Sequence, residues 1–89
     1  MLNDIMVKES TEEKARLIIK TFLYANKGKK YTSKQIAYFV NSNPLGLGKF
    51  NLTSVTVTRW IKDKHRWFFR YVKMERTNER NVWHFWVEQ

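Results

Sequence analysis

The chain has 89 residues, 43% of them hydrophobic and 16% aromatic, which is one small domain with enough apolar material for a single core. Its formal charge is +9, and from Lys14 onward 16 basic residues stand against 4 acidic ones. Cysteine is absent, so disulfides, thiolate metal ligands and thiol nucleophiles are excluded. A positive field of this size concentrates polyanions and makes nucleic acid the leading expected partner. An anionic membrane surface comes second, but no apolar run approaches the length of a bilayer span. The start of the chain also lacks the pattern of a signal peptide, so an intracellular location is expected, cytoplasmic or nucleoid-associated.

Residues 1–9 show no clear period and read as an N-terminal arm or short edge strand, ahead of a domain over 10–89. The stretch STEEKARLIIKTFLYANKG predicts a helix. Ser10 and Glu13 form a capping box, Glu12 and Glu13 suit the positive end of the helix dipole, and Gly28 is a natural stop. Ala15, Ile18, Ile19, Phe22 and Ala25 make one apolar stripe. Leu17 and Tyr24 lie on another side, where they can meet a second element or chain.

KKYTSKQIAYFVNSNP opens with a few extended residues, then Thr32 and Gln35 form a second capping box. Ile36, Ala37, Phe39 and Val40 face inward, and Lys34, Tyr38 and Asn41 outward, until Asn43-Pro44 ends the helix. LGLGKFN is a connection in which Leu45, Leu47, Phe50 and Leu52 recur and are expected to tuck partly against the core. Its glycines lack the spacing of a phosphate-binding loop.

TSVTVTRWIKDKH reads two ways. Alternating Val and Ser/Thr suggests a strand, yet a strand leaves Arg59–Lys64 without a pattern. A helix capped by Thr53 points Val57, Trp60, Ile61 and the stem of Lys64 one way, and Val55, Arg59 and Lys62 the other. The helix is favoured, because β propensity is the more context-dependent signal. RWFFRYVKMERTNERNVWHFWVEQ predicts a hairpin from Trp67 to Glu88. With a Thr77–Arg80 loop, Arg76 faces Asn81, Met74 faces Trp83 and Val72 faces Phe85. Val72, Met74, Trp83, Phe85 and Val87 then share one face, and Tyr71, Lys73, His84 and Trp86 the other. Trp60, Trp67, Phe69, Trp83 and Phe85 are expected in the core.

The order helix, extended piece, helix, helix, basic-tipped hairpin resembles the winged helix-turn-helix superfamily of DNA-binding domains. The likeness is carried by YTSKQIAYFV (Tyr31–Val40), similar to the family's positioning helix, and SVTVTRWIKD (Ser54–Asp63), similar to its recognition helix. It covers nearly the whole chain and implies an α+β fold of three helices plus a C-terminal β-hairpin wing. The connection over Asn43–Leu52 is longer than the tight turn of a minimal helix-turn-helix. A subgroup that reads left-handed DNA ends in a Pro-Pro-x-Trp-like wing, and this chain has only Pro44.

By that resemblance the chain is a sequence-specific binder of double-stranded DNA and a small transcriptional regulator, with the third helix (about 54–65) in the major groove. Arg59 would contact guanine and Val55 a thymine methyl. Ser54, Thr56, Thr58 and Lys62 would meet phosphates or base edges. Lys34, with Tyr38 nearby, would hold a phosphate at the start of the second helix. Arg76, Asn78 and Arg80 would touch the backbone or minor groove. A homodimer could form through Leu17 and Tyr24 or through the hairpin.

Blander readings stand beside these. Arg59 and Lys62 also fit a solvated helix face, and Arg76 and Arg80 a solubilised edge hairpin. A protein-interaction module and an RNA or single-strand binder are the rival functions. No catalytic constellation is visible, no cofactor is called for, and His65 and His84 lack a metal-ligand pattern.

Overall fold

The structure is a computed structural model that describes the backbone of residues 2–89 and the side chains from Thr11 onward. Among the described residues the architecture is α+β, with three helices and a three-stranded antiparallel sheet.

Helix α1 spans Leu2–Ala25. It therefore runs through Ser10, and the expected capping box does not start it: a cap residue must leave helical dihedrals, and Ser10 keeps them. The backbone of the expected arm is helical from Leu2 onward, and nothing in Leu2–Glu9 is a Gly or Pro to prevent that. Met1 lies outside the described residues. The stripe that α1 buries is Ala15, Ile18, Ile19 and Leu23, whereas Ala25 is exposed. Phe22 stacks on Phe39 of the next helix at 4.2 Å between ring centroids.

The chain leaves α1 through Gly28, at φ +86°, whose backbone N–H donates to Val87 O at 2.7 Å. That positive φ favours glycine there, since the only atoms a β-carbon would meet belong to the exposed side chain of Gln89, which can move aside. Strand β1 (Tyr31–Thr32) then pairs with the last strand, Tyr31 opposite Phe85 and Thr32 opposite His84.

Helix α2 (Ser33–Asn41) has the predicted capping box, with Gln35 N–H donating to Thr32 Oγ1 at 3.2 Å and Thr32 N–H to Gln35 Oε1 at 2.8 Å. Ile36, Ala37 and Val40 are buried as expected. Asn41 differs from its expected outward position. It is half-buried, donates from Nδ2 to Leu52 O at 2.8 Å and accepts from Leu52 N–H at 2.7 Å. Between Asn41 and Leu52 the chain makes a loop in which Leu45 and Leu47 are exposed, contrary to expectation, while Phe50 and Leu52 pack on the core.

Helix α3 (Ser54–Arg59) resolves the strand-or-helix question in favour of helix. Thr53 caps it, Oγ1 accepting from Thr56 N–H at 3.1 Å. Trp60–Lys64 continue it as a π-helical turn, closed by His65 N–H donating to Trp60 O at 2.8 Å. Val57, Trp60 and Ile61 are buried as expected, but the next inward side chain is His65, not the stem of Lys64. A π turn carries one more residue than an α turn, which moves the inward position from 64 to 65.

Residues 65–71 form turns rather than the start of the hairpin. Arg66 fastens them, its guanidinium donating to Val72 O at 3.1 Å and Arg70 O at 3.2 Å. Phe69 is buried here, whereas Trp67 is exposed and not in the core. Strands β2 (Val72–Arg76) and β3 (Trp83–Val87) pair with Val72 opposite Val87, Met74 opposite Phe85 and Arg76 opposite Trp83. The expected register is thus wrong by two residues. The connecting loop is longer because Thr77 N–H pairs with Val82 O at 2.9 Å and Asn81 takes φ +61°. A two-residue slip conserves the faces. Val72, Phe85 and Val87 are accordingly buried, with Met74 and Trp83 packed at the edge of the core. The sheet order is β1-β3-β2, which puts β3 at its centre.

Candidate nucleic-acid interface

The outward side of α3 is built by its helical phase. With Val57, Trp60 and Ile61 committed to the core, Val55 and Arg59 must project outward. Val55 is 64% exposed, and Arg59 is exposed and forms no ion pair among the described residues. Ser54 and Thr58 flank them, half-buried. These four line a cleft of about 280 Å³ whose other walls are Ser33 of α2, Asp63 of the π turn, and Asn81 and Trp83 of the hairpin.

Trp83 is the structural centre of one wall. Lys62 Nζ lies 3.9 Å from its ring centroid and the Arg76 guanidinium 5.7 Å. A cation over an indole face is held by the ring quadrupole, so both charges are positioned rather than free to wander. The Lys62 contact joins the π turn to the hairpin and leaves Lys62 half-buried, while the Arg76 contact lies within the hairpin.

No family model, curated protein or solved structure matches this chain.

The remaining predicted site residues stand outside the cleft lining. Lys34 is exposed in the first turn of α2, and Tyr38, at 77% exposure, lies one turn further on. Thr56 is half-buried, and its hydroxyl oxygen accepts from the Thr53 hydroxyl at 3.0 Å, so it belongs to the helix cap. Asn78 and Arg80 are exposed in the hairpin loop, and Arg76 is exposed at the end of β2. Ser33, Asp63, Asn81 and Trp83 were not anticipated. Asp63 had a signal, since it lies four residues after Arg59 on the same helical side. The other three reach the cleft only through tertiary packing.

Two acidic features bear on the electrostatics. Asp63 is exposed at the cleft and takes no ion-pair partner among the described residues. Glu12 of α1, by contrast, is engaged: its Oε1 lies 2.8 Å from His65 Nε2 and 3.2 Å from Lys64 Nζ. Its carboxyl is held below the ordinary value, chiefly by the hydrogen bond to His65, against burial that pushes it up, and further by Lys64. Among the described residues no group of three His, Cys, Asp or Glu could hold a metal ion, and no helix is long and apolar enough to cross a membrane.

Proposed function

We propose that the chain is a winged helix-turn-helix domain that binds double-stranded DNA as a small transcriptional regulator, with α3 and its π turn in the major groove and the hairpin loop over the backbone or minor groove. The observation that carries this reading is the division of α3. One side is anchored by Val57, Trp60 and Ile61, and the other offers Ser54, Val55, Thr58 and an Arg59 without an ion pair among the described residues, beside a hairpin wall. That set combines a bidentate donor, a methyl-bearing contact and hydroxyls, which are the groups that base edges and phosphates can use. The excess of basic residues supplies sequence-independent attraction to phosphate. The Asn41 clamp on Leu52 supports it further, because it fixes the approach to α3 despite the long connection.

Selection of bound duplexes from a random pool, followed by titration of the winner, tests the reading. An enriched site is expected, with affinity falling steeply between about 50 and 200 mM salt. Arg76→Ala with Arg80→Ala should weaken all duplexes alike and flatten that salt slope, since phosphate contacts release counterions regardless of sequence. Failure to retain any duplex at low salt, or tighter retention of single strands, would overturn the proposal.

A further inference from the structure

Helix α1 has a second apolar side. Leu17, Thr21 and Tyr24 recur on it at helical spacing, clear of the buried Ile18, Ile19 and Leu23. With Lys20, Ala25 and the ring of Phe68 they line a groove of about 500 Å³ that shares no residue with the α3 cleft. Leu17 is 55% exposed, and the neighbouring Trp67, whose ring centroid is 5.6 Å from that of Phe68, is 67% exposed.

The charges around the groove decide what fits it. The Arg16 guanidinium lies 5.1 Å from the Phe68 centroid and 5.6 Å from that of Trp67. Lys20 Nζ lies 4.5 Å from Phe68 and 5.7 Å from Tyr24, and Lys27 Nζ lies 6.0 Å from Tyr24. Among the described residues none of these three cations has a carboxylate partner, whereas Lys30 and Lys64 each have one. Arg16 Nε is also buried, with no hydrogen-bond partner among the described residues. The rim is thus positive and positioned by ring contacts, with no ion pair to a carboxylate among the described residues.

Two occupants are poorly matched to such a rim. Stacked bases need open aromatic faces, and the cations already lie over Phe68 and Tyr24. A second copy would bring the same three cations against themselves. Carboxylates beside apolar side chains match both the rim and the floor.

We propose that this groove docks an amphipathic acidic segment of a partner protein. Its apolar side chains fill the space between Leu17, Tyr24 and Phe68, and its carboxylates meet Arg16, Lys20 and Lys27. Apolar burial supplies the affinity, and the charges select the partner and speed the encounter.

The test uses a synthetic peptide of about 16 residues, long enough to form a helix, with Leu and Phe on one side and Glu flanking them. Its twin carries Lys in place of every Glu, and an oligothymidine strand serves as the nucleic-acid probe. Binding is followed by anisotropy and by backbone amide shifts of the whole chain. The Glu peptide should saturate and shift the amides of Leu17, Thr21, Tyr24 and Phe68, with the Lys twin at least about tenfold weaker. Leu17→Glu should weaken the Glu peptide by about tenfold or more, with the melting temperature and the sequence preference in duplex binding retained, because Leu17 is an exposed helix position outside the α3 cleft. Equal binding of the two peptides, shifts centred on another face, or a variant that binds the Glu peptide undiminished would overturn the proposal. So would oligothymidine shifting the same amides more strongly, or self-association through Leu17 that excludes the peptide.

Discussion

Arg59 is the residue on which the DNA reading can be broken most cleanly. It is exposed, free of ion pairs among the described residues, and carried by a helix whose opposite side is fixed in the core. A guanidinium offers a planar fork that matches the two acceptors of guanine, and a lysine ammonium does not. Arg59→Lys should therefore retain most non-specific affinity and lose about 1–3 kcal/mol of discrimination at one base pair. Arg59→Ala should lose that discrimination and some general affinity, with stability changed by under about 0.5 kcal/mol. Titrating both variants against a selected site and its single-base mutants, beside a thermal melt, checks this. A sharp drop in melting temperature with sequence preference intact would make Arg59 structural. At this scale Val55 and Arg59 could be placed on the outward side from helical phase, with Thr58 beside them, whereas Lys62, expected there too, is half-buried against Trp83. Trp83 could not be assigned to their cleft, because periodicity assigns it to the inner face of the hairpin and says nothing of what that edge meets. Its contact with Lys62 depends on where the hairpin folds back.

Element boundaries show the same limit in another form. The N-caps at Thr32 and Thr53 were legible because a side-chain oxygen three residues before a free N–H is a local geometry. The start of α1 was not, since Ser10 has cap chemistry whether or not the helix continues past it. The faces of the hairpin were readable from alternation, but its register depended on Thr77 and Asn81, which act through the loop. The π turn was invisible, because inserting one residue into a helix leaves no compositional trace. Asn41 is the case with energetic consequences. Its amide serves both the N–H and the C=O of Leu52, much as a neighbouring strand would, and so ties the end of α2 to the entry of α3. Asn41→Ala leaves both partly buried backbone groups without that partner and should cost about 1–3 kcal/mol. Urea unfolding measures it. A loss under about 0.5 kcal/mol would mean that water replaces the amide and that the clamp does not set the connection.

At the scale of the whole molecule, α1 is the element that ties the acidic start of the chain to its basic remainder. Glu12 reaches across to Lys64 and His65 at the end of the π turn, where a small cavity of about 300 Å³ is bounded also by Glu13 and Arg16. The contact fixes the far end of the third helix to the longest helix of the fold, while the Thr53 cap and the Asn41 clamp hold its beginning. Because His65 and Lys64 hold the Glu12 carboxyl below its ordinary value near 4.5, the folded chain binds that proton less tightly than the unfolded chain. Linkage then fixes the sign: the stability Glu12 contributes is complete above the ordinary carboxylate value and disappears as pH falls through the lower folded one. Glu12→Gln should consequently be less stable than the parent chain at neutral pH, and the two should converge on acidification. Urea midpoints for both chains, taken from about pH 7 down to about pH 3, test this directly. The gap should stay open above the ordinary carboxylate value and close only below it. A gap that persists unchanged into acid would show that the amide fails for reasons of shape and that charge plays no part in fastening α1 to the third helix.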